Sequence, residues 1–242
     1  MRAHVLRDTL RAAASVLYPA VCVSCDGAIE FDEYLCAGCE ASAPRLTPPF
    51  CARCSEPFGG AISDTFTCAN CAHRELHFEC AVAAYRSRGV VRKVLHDFKY
   101  GHQRHLRHPL AGWLCAALED PRLTDRNFDL VVAVPLHSAR QRERGFNQAA
   151  LLAELLARET GLRLHDVLER IRYTTTQTAY DRAERMRNLE GAFRLRRGAD
   201  VQGLRVLLID DVLTTGSTLS ECARVLKTAG AVSVHAATAA RA

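Results

Sequence analysis

Long apolar runs are missing from this chain of 242 residues, although 48% of its residues are hydrophobic and 24% are charged. A membrane-spanning helix needs roughly 18 consecutive apolar residues, and the longest apolar runs here are short pieces typical of strands. A signal peptide is not expected, because Arg7, Asp8 and Arg11 interrupt any apolar core near the start. We therefore expect a protein that folds in water, is not inserted in a membrane and is cytoplasmic.

Lysine is scarce as well, since only residues 93, 99 and 227 are Lys among 32 basic side chains. The net charge of +5 suits an anionic ligand or nucleic acid, but a plain bias toward Ala and Arg explains it equally well. The pattern GxxxxGK[ST] is absent from the sequence, and its absence argues against a P-loop ATPase.

Cysteine, by contrast, is abundant, with eleven residues. Without a signal peptide, close cysteine pairs favour metal ligation over disulfides. Two CxxC pairs can enclose one structural zinc, so four pairs predict about two zinc ions per chain, with pairing in sequence order preferred and interleaved pairing left open. Cys80, Cys115 and Cys222 are interpreted as small buried hydrophobic residues without a function. The expected zinc ligands are Cys22, Cys25, Cys36, Cys39, Cys51, Cys54, Cys68 and Cys71.

The order of the predicted elements divides the chain into three parts. We expect an N-terminal helix over residues 1–20, a turn-rich cysteine module over 21–75 and an α/β domain over 80–242. In that domain, strands alternate with crossover helices, which predicts a parallel sheet. The predicted strands are AVAAY, LVVAV, Arg205 to Ile209 and AVSVHAAT; the predicted helices cover about 90–119, broken near Gly101 and Pro109, then 147–159 and 218–229.

One segment, VLLIDDVLTTGSTL, combines an apolar strand, two carboxylates and a hydroxyl-rich loop at a helix start. Such a loop offers backbone N–H groups, hydroxyls and the helix dipole to a phosphate, while Asp210 and Asp211 can accept hydrogen bonds from sugar hydroxyls. The pattern therefore predicts a ribose 5-phosphate site. Response-regulator receivers also carry paired Asp, but near the start of their domain, and a fortuitous helix cap does not explain all these residues together.

The segment IDDVLTTGSTL resembles the phosphoribosyl pyrophosphate (PRPP) motif of type I phosphoribosyltransferases. Further segments, VAVPLHSARQRERGFNQAALLAELL, RYTTTQTAYDRAERMRNLEGAF and HDFKYGHQ, resemble the ComF family, also called the competence-protein or GntX-type family. The knuckles LYPAVCVSC and CAGC resemble its double zinc ribbon. The resemblance covers nearly the whole chain and implies a type I phosphoribosyltransferase fold, a central parallel sheet flanked by helices, behind a small N-terminal double zinc-ribbon module.

The resemblance also implies roles for particular residues. Asp210 and Asp211 would be the catalytic carboxylates that hold the ribose, and residues 172–188 would form a flexible lid. For the lid arginines a solvated helix face is an equal alternative, and for the run RERGFN the alternative is helix capping by Asn147. The implied phosphate-binding residues are Asp210, Asp211, Val212, Leu213, Thr214, Thr215, Gly216, Ser217 and Thr218; the implied pyrophosphate loop is Val134, Pro135, Leu136 and His137; the possible anion contacts are Arg142, Arg144, Arg182, Arg185 and Arg187.

The function that the resemblance implies is magnesium-dependent transfer of a phosphoribosyl group from PRPP to an unknown acceptor, with release of pyrophosphate, in DNA uptake and natural competence or in nucleotide metabolism. The alternative is a protein without catalytic activity: a sensor of PRPP or nucleotide, or a competence factor that binds single-stranded DNA through its zinc module. Besides PRPP, the expected partners are single-stranded DNA or proteins of the competence machinery. The sequence does not identify the acceptor.

Overall fold

A central parallel sheet organises the part of the chain that the computed structural model describes, residues 19–60, 66–173 and 189–242. Its strands are Ala81–Ala83 (β1), Leu130–Ala133 (β2), Arg205–Leu213 (β5) and Ser233–Arg241 (β6), with Leu168–Arg170 (β3) and Phe193–Leu195 (β4) forming a separate antiparallel pair. The order in the sheet is β1-β6-β5-β2, and every neighbouring pair is parallel. The expected α/β fold with a central parallel sheet is confirmed.

Helices cover both faces of this sheet, as parallel strands buried on both faces require. One face packs on the helices Gly89–Tyr100, Arg107–Leu118 and Gln148–Thr160. The other face packs on the helix Ser217–Thr228 together with the β3–β4 pair. The helices are Ala37–Ala41 (α1), Ala69–Ala72 (α2), Gly89–Tyr100 (α3), Arg107–Leu118 (α4), Pro121–Thr124 (α5), Ser138–Arg144 (α6), Gln148–Thr160 (α7) and Ser217–Thr228 (α8), with a 3-10 turn at Arg104–Leu106. None of the helices in the described ranges is long and apolar enough to cross a membrane.

The cysteine module is packed into the same two cores as the sheet. Because side chains alternate between the faces of a strand, Leu207 and Leu208 of β5 enter different cores. Cys22 is buried in the core that contains Leu207, and Cys51 and Cys54 are buried in the core that contains Leu208. The two halves of the module therefore cover opposite faces of the sheet.

Two boundaries differ from the expectation. The strand β5 continues past Ile209 to Leu213, because β6 extends equally far and pairs Leu213 with Arg241. The predicted helix break at Pro109 is wrong: the interruption lies between Tyr100 and Arg107, and Pro109 lies in the first turn of α4. Proline is tolerated there because the N–H groups of a first turn have no acceptor within the helix. The predicted N-terminal helix over residues 1–20 lies outside the described residues except for its last two.

Candidate functional site

The loop between β5 and α8 brings several hydroxyl groups to a helix N-terminus. Gly216 precedes the helix with a φ of +75°, and a Cβ on it would lie 3.3 Å from the Phe78 ring. A side chain at this position would therefore meet both backbone strain and Phe78. The Thr215 Oγ1 lies 2.9 Å from the Ser217 Oγ and 3.4 Å from the Ser217 backbone N. Hydroxyls, backbone N–H groups and the positive end of the dipole of α8 converge here, as in phosphate sites.

The two carboxylates that precede this loop face opposite sides of the sheet, as successive strand residues do. Asp211 is buried on the side of α3, where the Lys99 Nζ lies 2.8 Å from its Oδ1. Asp210 is half-buried on the other side, and its Oδ1 accepts a hydrogen bond of 2.9 Å from the Asp211 N–H. Desolvation, with a further contribution from the charge of Asp211, raises the pKa of Asp210 to about 7, against the opposing charges of Lys99 and Arg170.

The expected pyrophosphate loop, residues 134–137, lies at the same edge of the sheet. The Val134 N–H donates to the Ile209 carbonyl at 2.9 Å, which continues the pairing of β2 with β5. Asn147 supports the loop from the other side: its Nδ2 donates to the Val134 carbonyl at 3.1 Å, and its Oδ1 accepts from the Ala149 N–H at 3.1 Å. Asn147 therefore caps α7 and also fixes the loop, so capping explains part of the RERGFN run.

His137 ends that loop and begins α6, where its Nδ1 accepts a hydrogen bond of 3.2 Å from the Ala139 N–H. Its ring contacts Tyr173 edge to face at 5.2 Å, and the Arg140 guanidinium lies 5.8 Å from the same Tyr173 ring. Tyr173 is the second residue of the expected lid, whose residues 174–188 lie outside the described part of the chain. A basic and aromatic group therefore stands next to the loop in which we expect pyrophosphate.

The five arginines expected as anion contacts fall into two groups. Arg142 is exposed on α6, whereas the Arg144 guanidinium lies over the Tyr100 ring at 5.2 Å and donates to the Gln148 side chain at 3.3 Å. Their role as anion contacts stays a prediction. The other three, Arg182, Arg185 and Arg187, lie outside the described residues.

Three basic residues near the site were not assigned from the sequence. Lys99 had a usable signal, because it is one of three lysines and lies in the segment HDFKYGHQ. Arg170 ends β3, stacks on Phe193 at 5.3 Å and contributes a positive charge near Asp210. Arg74 contacts the loop of Ser217. Neither arginine belongs to a local pattern, since only the packing of distant segments brings them to the loop.

The eight knuckle cysteines form two clusters, and the pairing follows the sequence order. Within each cluster the four sulfur atoms lie within 4.8 Å of one another, with 3.7 Å between the Cys25 and Cys36 sulfurs and 3.6 Å between the Cys54 and Cys68 sulfurs. Four thiolates bound to zinc at about 2.3 Å stand about 3.8 Å apart. The clusters therefore fit two structural zinc ions, each enclosed by Cys22, Cys25, Cys36 and Cys39 or by Cys51, Cys54, Cys68 and Cys71. Such closed sites contribute folding energy and leave no position for a substrate.

The comparisons with known families agree with both parts. The profile of the phosphoribosyl transferase domain matches residues 146–242, and that of the double zinc ribbon domain matches residues 13–72. Together with the parallel sheet and the two cysteine clusters, these matches define a protein with a phosphoribosyltransferase fold and an N-terminal double zinc ribbon. One solved structure, an allosteric regulatory enzyme of purine biosynthesis, is 24% identical and covers 60% of this chain and 30% of that chain, with a TM-score of 0.38. The order and pairing of the strands, rather than that partial overlap, identify the fold.

Curated relatives extend over nearly the whole chain. Competence protein F of Haemophilus influenzae is 30% identical over 214 residues, 86% of this chain and 91% of that protein. The DNA utilization protein YhgH of Salmonella typhi is 31% identical over 224 residues, 90% of this chain and 95% of that protein, and the competence protein ComFC of Bacillus subtilis is 26% identical over 232 residues, 88% and 91%. The chain belongs to the competence protein F (ComF) family.

Proposed function

We propose that the protein binds PRPP at the carboxyl edge of its sheet and transfers the phosphoribosyl group to a nitrogen acceptor, with release of pyrophosphate. The observation that carries this proposal is the hydroxyl loop at the N-terminus of α8, which is separated from Asp211 by two residues and lies at the same sheet edge as residues 134–137. A phosphate site, two carboxylates and a second loop at one edge match the 5-phosphate, ribose and pyrophosphate of PRPP in order.

Each group of the edge has a task in this reaction. The loop of residues 214–218 binds the 5-phosphate through N–H and O–H donors. Asp210 and Asp211 accept hydrogen bonds from the ribose hydroxyls, and their negative charge favours the positive charge that develops at C1 as pyrophosphate leaves. Residues 134–137, which include His137, hold the pyrophosphate, and Arg140 of the following helix lies next to this loop.

Magnesium fits this edge as an ion held mainly by substrate oxygens. The Oδ1 of Asp211 is already bound to Lys99 at 2.8 Å, so that carboxylate is not open on all sides to a cation. Magnesium commonly keeps several waters and binds through phosphates and one or two carboxylates. When bound, it would be held at this edge beside Asp210 and Asp211 and would supply positive charge that favours the departure of pyrophosphate.

The transferase proposal is tested by pyrophosphate release from PRPP and magnesium across a panel of purines, pyrimidines and amines. We expect release with at least one acceptor, and a large loss in Asp210→Asn and Asp211→Asn. Asp125→Asn is the matched control, because Asp125 is exposed at the end of α5. Tight binding of PRPP without release in any reaction would contradict the transferase proposal and favour a sensor.

A second function, binding of single-stranded DNA, is favoured by a stacked group on the surface. The Tyr34 ring is nearly parallel to the rings of His105 and His108, at centroid distances of 5.9 and 5.6 Å, and the Arg107 Nε lies 3.5 Å from the His108 Nε2. Aromatic stacking next to positive charge is how proteins bind single strands without sequence preference, and relatives carry the names DNA utilization protein and competence protein.

The DNA proposal is best tested in the full chain, because deletion of the cysteine module would expose both cores. We expect single-stranded DNA to bind with a steep dependence on salt, and Tyr34→Ala to weaken it severalfold. Phe31→Ala is the matched control, since Phe31 is an exposed aromatic of the same module. Equal affinity in the wild type and Tyr34→Ala would contradict this surface as the DNA site.

A further inference from the structure

Two side chains join the second cysteine cluster directly to the phosphate loop. The second cluster is Cys51, Cys54, Cys68 and Cys71, and the phosphate loop is residues 214–218. The short helix α2 carries the cluster cysteine Cys71, with Asn70 next to it and Arg74 just beyond. Arg74 donates from Nη1 to the Thr215 carbonyl at 2.9 Å and from Nη2 to the Ser217 Oγ at 3.0 Å. Asn70 also donates to the Thr215 carbonyl, at 3.4 Å, and its Oδ1 accepts from Arg74 at 2.8 Å.

These contacts determine how the loop presents its donors. The bond between Thr215 and Gly216 is trans, as the only cis bond among the described residues joins Pro48 and Pro49. In a planar trans peptide the N–H points opposite to the carbonyl. Since Arg74 and Asn70 hold the Thr215 carbonyl on their side, the Gly216 N–H is directed away from them.

The Ser217 hydroxyl is oriented in the same way. Arg74 has only donors, so the Ser217 Oγ accepts from it and keeps its own proton for another acceptor. In the structure the Thr215 Oγ1, 2.9 Å from the Ser217 Oγ, can accept this proton. An oxygen of a bound phosphate would be a stronger acceptor for the same proton. The guanidinium also adds positive charge beside the N-terminus of α8.

The segment that carries these side chains depends on the cluster for its own position. The helix α2 has four residues, far fewer than a helix needs to persist by itself, and both Cys68 and Cys71 belong to the cluster. The following residues continue the contact with α8: the His77 N–H donates to the Ser220 Oγ at 3.1 Å, and Phe78 packs against Gly216. Release of metal from this cluster would therefore free Arg74 to move.

We propose that Arg74 is a positioning residue for the phosphate loop, and that metal at the second cysteine cluster is required for ribose phosphate binding. This inference rests on the proposed function and specifies the support of its 5-phosphate site. Because coupling between two sites is reciprocal, a bound ribose phosphate also retains metal at the second cluster.

The first test measures binding of ribose 5-phosphate and of PRPP to the zinc-loaded full chain by calorimetry. Hydrogen bonds from a charged group are stronger than neutral ones, so we expect Arg74→Gln to weaken binding about 10- to 100-fold, and Arg74→Lys to restore part of the loss. Arg197→Gln is the matched control, because Arg197 is exposed after β4. Zinc content and melting temperature, measured in parallel, establish that each variant is folded.

The outcomes separate the two proposals. No binding by the wild-type protein overturns the proposed function and this inference with it. Binding by the wild type that Arg74→Gln leaves within twofold overturns the positioning role alone.

The second test requires no variant and remains valid if Arg74→Gln does not fold. Zinc release to a chromogenic chelator is followed in the wild-type chain with and without saturating ribose 5-phosphate. We expect about half of the zinc, that of the second cluster, to leave at least fivefold more slowly when the ligand is bound, while the other half leaves at an unchanged rate. Equal rates for all zinc with and without bound ligand would overturn the coupling.

Discussion

The substitution Asp210→Asn should stabilise the folded protein at neutral and alkaline pH while it damages the site. Asn has the same shape as Asp and keeps the oxygen that accepts from the Asp211 N–H. It removes only the charge, which desolvation and the neighbouring Asp211 make unfavourable in the folded state. The ionised carboxylate of Asp210 lowers the free energy of unfolding and lies next to the phosphate loop. Groups that destabilise the fold at such a place are typically retained for function.

The size and sign of the effect follow from the pKa. In the folded protein the pKa of Asp210 is raised from 3.8 to about 7, so between these values the folded state binds more protons than the unfolded state and stability falls as pH rises. The full rise corresponds to at most about 4 kcal/mol. With this pKa we expect an advantage of up to about 4 kcal/mol above pH 8, of which about half is already present at pH 5.5.

The assay is urea unfolding of wild type and Asp210→Asn at a series of pH values from 5.5 to 8.5, with equal free zinc. We expect the stability advantage of the variant to grow by about 2 kcal/mol across this range and to level off above pH 8. Asp129→Asn is the contrasting control. The Arg205 side chain holds the pKa of Asp129 at about 2, so its effect should be destabilising and independent of pH in this range.

A stability difference between Asp210→Asn and wild type that does not change with pH would refute the reasoning. It would mean that Asp210 is already fully ionised at pH 5.5, with Lys99 and Arg170 offsetting its desolvation. A carboxyl carbon titration by NMR, read at Asp210 in the wild type, measures the same pKa without unfolding the protein.

Three further predictions concern the supports of the site. Asn147→Ala should lower the free energy of unfolding by about 1–2 kcal/mol through loss of the α7 cap, whereas Asn147→Asp should keep the cap and lose only the donor to Val134; urea unfolding of the two variants distinguishes these contributions. Lys99→Met should raise the pKa of Asp210 further, because an opposing positive charge is removed, and an unchanged titration midpoint would contradict that. Metal analysis should find about two zinc per chain, falling to about one in Cys25→Ser, with a value of one in the wild type counting against the two-site prediction.

Local patterns predicted the elements whose structure depends on neighbours in the chain. The run LVVAV is the strand β2, Asn147 and Gly161 cap the helix between them, and the cysteine pairs cluster in sequence order. The two predictions that failed had different causes, one a distant strand and the other the local start of a helix. The strand β5 extends past Ile209 because β6 pairs with it, and Pro109 lies inside a helix because that helix begins just before it.

The sequence by itself determined the ligand class expected at the loop before α8, the zinc-binding spacing of the cysteines and the alternation that makes the sheet parallel. These follow from residue type and spacing, which act over a few residues. Only the tertiary structure brought Lys99 to Asp211, Arg170 toward Asp210, and Arg74 from the second cysteine cluster to the phosphate loop. Such contacts join segments far apart in the chain, and they exist only once the two faces of the sheet have packed against α3, α8 and the cysteine module.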